Sequence, residues 1–116
     1  MPTTQTNYAE AEAIVTIADG ASTSDAIRCH ANVPVAISTD ANFGGAAMSF
    51  EHSFDGETGW QAVQLGDGNA YSVTVAASQF CVLSLTSLYG AFRYIRVKSD
   101  ANQAGSASIV KVLFTR

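Results

Sequence analysis

Chemistry in this chain would have to come from two histidines, two cysteines and a pair of acidic turns. His30 follows Cys29 in "RCH", and His52 lies in "SFEHSFDG". A nucleophile needs a base within hydrogen-bond reach, but on a strand Cys29 and His30 point to opposite faces. There is no "G-x-S-x-G" motif, and Cys and His are too scattered for a zinc set. The reading is therefore of a protein that is not an enzyme, has no catalytic residue and uses no cofactor. Calcium is the one ion the turns could hold. "DGET" and "GDGN" place Asp55, Glu57 and Asp67, with Asn69, on either side of one strand, and calcium takes hard oxygen ligands from loops. Neither turn has the dense Asp/Asn run of a dedicated calcium loop, and Asp-Gly is also a preferred dipeptide of tight hairpins.

The elements that would position these residues are strands. From Ala13 onward, short runs rich in Val, Ile, Thr, Phe and Tyr are divided at nearly even spacing by Gly, Asn, Asp and Ser, which is an all-β rhythm. Strands are expected over 13–18, 26–31, 33–38, 46–53, 60–65, 70–76, 80–87, 92–98 and 106–115. Tyr71, Val73 and Val75 alternate with Ser72 and Thr74, giving one buried and one wet face. Pro34 removes a ladder donor, so the third strand belongs at an edge or a bulge. Eight or nine short strands close most economically as an antiparallel β-sandwich of the jelly-roll kind, one domain over 13–116. Residues 1–12 read as an extended polar arm that Tyr8 could anchor.

Parity assigns individual side chains. Cys29 is in step with Ile27, and Cys81 with Leu83 and Leu85, so both thiols should face the core and remain free. Met48, Phe50, His52 and Phe54 share one parity, which makes His52 a satisfied core or interface histidine. Trp60, the single tryptophan, is expected to pack inward; together with Phe43 and Tyr89 it is also the aromatic residue that a sugar site would use.

At 116 residues the chain can bury a core without staples, yet only 14% of it is charged while 47% is hydrophobic. Such a surface suits a subunit packed against others, and a plain small β domain has it as well. Nine of the ten acids precede residue 70, and five of the six bases follow residue 90; the two halves are expected to neutralise each other within the fold. The net charge of -4 argues against nonspecific nucleic-acid binding. No apolar run is long enough to span a bilayer, and "MPTTQTNYAEAEA" lacks the pattern of a signal peptide, so a soluble protein not exported by that route is expected. The strands "SIVKVLFT" and "FRYIRV" are apolar on both parities, a surplus apolar side that a neighbouring subunit or the N-terminal arm could cover, and oligomerisation is inferred. Tyr8, Glu10, Arg93, Arg96, Lys111 and Phe114 are the candidate interface residues.

The stretches "MSFEHSFDGETGWQAVQLGDGNAYSV" and "LYGAFRYIRVKSDANQAGSASIVKVLFT" resemble small jelly-roll virion proteins of tailed bacteriophages, through Phe50, Ser53, Asp55, Gly56 and Trp60 and through Phe92–Val97 with Ser99. The same stretches look like the discoidin-type galactose-binding sandwich. The first resemblance implies a capsid decoration or cement protein, assembled in the host cytoplasm and carried on the capsid surface. It also implies a homotrimer that binds the major capsid protein or other virion proteins. The second implies a tail-fibre or baseplate module that binds carbohydrate.

Overall fold

The computed structural model describes residues 10–30, 32–64, 68–84 and 92–115. Nine strands run through them: β1 (Glu10–Ile17), β2 (Ile27–Arg28), β3 (Val33–Thr39), β4 (Ala47–Ser53), β5 (Gln61–Ala62), β6 (Ser72–Thr74), β7 (Phe80–Val82), β8 (Tyr94–Ser99) and β9 (Ser108–Thr115). No helix occurs among the described residues. The strands form two antiparallel sheets. One has four strands in the order β1-β9-β3-β7; the other has five, in the order β2-β8-β4-β5 with β6 also on β4. The expected all-β sandwich is thus observed, with every expected strand present.

Period-2 patterning builds the core. Val15 and Ile17 on β1, Val110, Val112 and Phe114 on β9, and Ile37 on β3 face Met48 and Phe50 on β4 and Ile95 and Val97 on β8. Each fully buried Val or Ile adds about 1.5–3 kcal/mol relative to its exposed state. Pro34 lies inside a sheet, since β3 is flanked by β9 and β7, and the missing donor is accommodated by a bulge between Pro34 and Ala36.

Several boundaries differ from the sequence reading, those of β1, β2 and β5 among them. β1 begins at Glu10, because its antiparallel register with β9 runs unbroken from Glu10↔Thr115 to Ile17↔Ser108; residues 10–12 are therefore strand, and the rest of the expected arm, with Tyr8, lies outside the described residues. β2 and β5 shrink to two residues each, since each finds a partner over only two positions. Cys81 is only partly buried, because β7 is an edge strand. Cys29 is in the core, where burial pushes its thiol pKa up to about 12, and a protonated thiol is a poor nucleophile. Both cysteines are free.

The loop leading into β4 is held by carboxylate bonds. Asp100 Oδ1 accepts the N–H groups of Ala46 at 2.9 Å and Ala47 at 3.2 Å. A Cβ on Gly45 would meet that same Asp100 Oδ1 at 2.6 Å and Phe43 Cζ at 2.9 Å, with Ser99 Oγ closer still. Gly45→Ala is therefore expected to lower unfolding free energy by about 1–3 kcal/mol through overpacking. Urea denaturation of the variant beside the parent checks this, and an unchanged midpoint would refute the close packing.

Candidate functional site

The acidic turn of the sequence reading is a closed unit. Asp55 Oδ1 accepts the N–H groups of Glu57 and Thr58, both at 2.8 Å, and Oδ2 accepts the Thr58 hydroxyl at 2.7 Å. The N–H of Thr58 and then that of Glu57 hold the Asp55 carboxyl well below the usual carboxylate range. Ser53, fully buried beneath the turn, donates to the Thr58 carbonyl at 2.6 Å and accepts the Gly56 N–H at 3.0 Å. Gly56, at φ +81°, rests on the Tyr94 ring, where a Cβ would come within 2.8 Å. Both oxygens of Asp55 thus already serve the turn. No cluster of three His, Cys, Asp or Glu suited to a metal exists among the described residues; Asp67 lies outside them.

Other aspartates work the same way. Asp40 accepts from the Asn42 N–H, the Ser108 hydroxyl and the Ile109 N–H, and Asp19 and Asp25 accept from Gly105 N–H and Thr16 N–H. The expected neutralisation of the acidic half by the basic half takes a different form. Among the described residues the ion pairs are both made by Glu51, to Arg96 at 2.7 Å and to Lys98 at 3.8 Å. Most acids occur in turns, where the nearest unsatisfied positive groups are backbone N–H donors.

The outer face of the five-stranded sheet carries the Glu51 cluster. Glu51 and Arg96 are register partners, and Arg96 Nε also donates to Glu51 Oε1 at 2.8 Å. The Arg96 guanidinium stacks 4.3 Å from the centre of the Trp60 ring. This corrects the inward packing expected of Trp60: the ring is half-buried and lies against Arg96. Phe43 is in the core, and Tyr89 lies outside the described residues.

His52 is not a core residue. The apolar row ends at Phe50; His52 is half-buried and Phe54 exposed, since the chain turns at Ser53. His52 Nε2 accepts the Arg93 N–H at 3.1 Å, and its ring meets Phe54 edge-on at 4.9 Å. Arg93 is exposed, its guanidinium 6.0 Å from the Phe54 ring. Burial, and then the Arg93 charge, lower the His52 pKa.

The outer face of the four-stranded sheet has a different character. Register aligns Glu12, Leu113, Ala36 and Val82 in one row across it, Ile14, Lys111, Ser38 and Phe80 in the next, and Thr16 beside Ile109 in the third. Val82 is 74% exposed, Phe80 61%, Ile14 60% and Ile109 46%. These exposed apolar side chains share the face with Lys111 and Ser38, which lie between Ile14 and Phe80 in their row. Beside it a cleft of about 170 Å³ is lined by Ser38, Thr39, Asp40, Ile109 and Lys111. Of the candidate interface residues, Lys111 stands exposed in this surface, Glu10 opens β1, Arg96 is on β8 of the other sheet, and Arg93 lies just before β8. Phe114, 3% exposed, is a core residue. Ile14, Phe80 and Val82 were missed in the sequence, although parity carried the signal: Phe80 and Val82 alternate with Cys81 and Leu83, and Ile14 with Val15.

Comparison with known proteins gives no match to a family model, to a curated protein or to a solved structure.

His52 sets a pH dependence. The folded state disfavours its proton relative to the unfolded chain, so the stability it contributes is complete above the ordinary pKa of 6.5 and is lost as pH falls through the lowered folded value. Melting temperature is expected to decline on acidification below pH 6.5, and His52→Gln, which retains an acceptor for the Arg93 N–H, should flatten that decline. Thermal melts of both proteins across this range check it; parallel curves would exclude His52 as the source.

Proposed function

We propose that the protein is a non-enzymatic structural subunit of a bacteriophage virion, a decoration or cement protein that binds the capsid shell and stabilises it by bridging neighbouring subunits. The observation that carries this reading is the apolar outer face of the four-stranded sheet, with Ile14, Phe80, Val82 and Ile109 exposed. Burying such a surface is favourable by about 25 cal/mol per Å², and a shell subunit needs no more chemistry than that. The use of Asp40, Asp55 and Asp100 as turn acceptors supports a binding role over a catalytic one. The resemblance carried by residues 48–73 and 88–115 points the same way.

A second reading, a carbohydrate-binding recognition module of a tail fibre or baseplate, draws on one observation. Trp60, Arg96 and Glu51 gather on the opposite face, and indole, guanidinium and carboxylate are groups that hold sugars.

Co-sedimentation with purified empty capsids, beside a glycan array, separates the two. The decoration reading expects saturable addition to shells, weakened at least tenfold by Phe80→Ser with Val82→Ser, since each buried apolar side chain accounts for about 1.5–3 kcal/mol. Trp60→Ala should leave shell binding unchanged. A protein that ignores capsids and binds glycans in a Trp60-dependent way would overturn the first reading in favour of the second.

A further inference from the structure

Two adjacent rows of the outer face carry two exposed charges on β1 and β9. Glu12 is the register partner of Leu113, and Ile14 that of Lys111. These four residues form a quadrilateral in which Glu12 and Lys111 occupy one diagonal, Ile14 and Leu113 the other. Glu12 and Lys111 are both exposed, and neither forms an ion pair among the described residues, where Glu51 makes both bridges. Two opposite charges set into an apolar surface, without an ion-pair partner among the described residues, are a recognition pattern.

We propose that this half of the face binds a second copy of the same chain through an isologous two-fold contact. A copy turned over about the Ile14–Leu113 diagonal sets its Glu12 on Lys111 and its Lys111 on Glu12, while Ile14 and Leu113 meet their own counterparts. A two-fold axis requires such self-complementarity. Turning about either strand-aligned or strand-perpendicular direction would place each charge on an apolar residue, and turning about the other diagonal would oppose like charges. The same operation fixes the packing angle. With strands about 4.8 Å apart and alternate residues about 6.8 Å apart, the diagonal lies roughly 35° from the strands, so the two sheets cross at roughly 70°, nearer the orthogonal than the aligned class of sheet packing. The symmetry is two-fold, in place of the threefold association implied by the resemblance. Phe80 and Val82, on β7 two strands beyond β9, remain for the shell. The inference rests on the reading that this face is a subunit contact and adds the identity of the partner.

Charge reversal tests it. In Glu12→Lys both inter-copy pairs become lysine against lysine; in Lys111→Glu both become glutamate against glutamate. Each variant alone is expected to dissociate at least tenfold more readily than the parent by light scattering. Mixed in equal amounts, the two restore both opposite-charge pairs, so native mass spectrometry with one variant isotopically labelled should show the heterodimer dominating over either homodimer. Because both positions are exposed, formation of the heterodimer also demonstrates that each variant folds. A parent protein that is monomeric at its highest soluble concentration, or a mixture with no preference for the heterodimer, overturns the proposal. Either result leaves shell binding through Phe80 and Val82 standing, whereas failure of parent and variants alike to add to capsids would count against the functional reading and not against self-association.

Discussion

The sandwich depends on β9 pairing along both of its edges. Its eight residues hold β1 over the full register and β3 over six positions. The four-stranded sheet therefore has no interior until nearly the last residues of the chain are in place. Contacts of such long sequence separation carry the loop-closure cost before their reward, which slows folding. The same strand supplies Val110, Val112 and Phe114 to the core and Ile109, Lys111 and Leu113 to the outside. An eight-residue strand central to a sheet favours β-branched and large apolar side chains at most positions, and its outer side chains, with those of β1 and β7, make the exposed surface. Architecture and candidate interface thus share one cause.

The distribution of charge follows from a second constraint, that turn backbone must find acceptors. Asp40, Asp55 and Asp100 each take two or more bonds from nearby donors, and Asp19 and Asp25 take one N–H each. In an all-β chain of this length the turns are many, so the acids collect there. Bases have no such use, since a cation cannot accept from N–H. Arg96 and Lys98 stand on β8 instead, where they share the carboxylate of Glu51. A net charge of -4 therefore says more about how the loops are held than about what the surface attracts.

The strand rhythm was legible because alternation and turn residues are local signals, and all nine elements could be placed from them. The Pro34 bulge was legible for the same reason: a missing donor is a property of one residue. Trp60, His52 and Phe114 were harder. The position of Trp60 depends on Arg96 lying opposite Glu51, a pairing of residues 45 apart in the chain that no local pattern reports. His52 shares the parity of Met48 and Phe50, but the strand ends one residue after it, and parity says nothing once the ladder stops. Phe114 was read as one side of a two-sided strand without a way to tell which side would face in. That choice was made by β1, whose Val15 and Ile17 share the inward face with Val110 and Val112.

The two outer faces differ in what contact with a partner would cost. On the five-stranded sheet Arg96 is already bonded to Glu51 and stacked on Trp60, Ser53 is sealed beneath its turn, and Tyr94 lies under Gly56. A macromolecule covering that face would desolvate charges whose partners are already in place, and such burial returns little. On the four-stranded sheet Ile14, Phe80, Val82 and Ile109 are exposed, and removing water from these apolar side chains is favourable. Glu12 and Lys111, on β1 and β9 of that face, have opposite sign. For the proposed contact, the apolar side chains would supply attraction and the two charges orientation, a division of labour that favours specificity over raw strength.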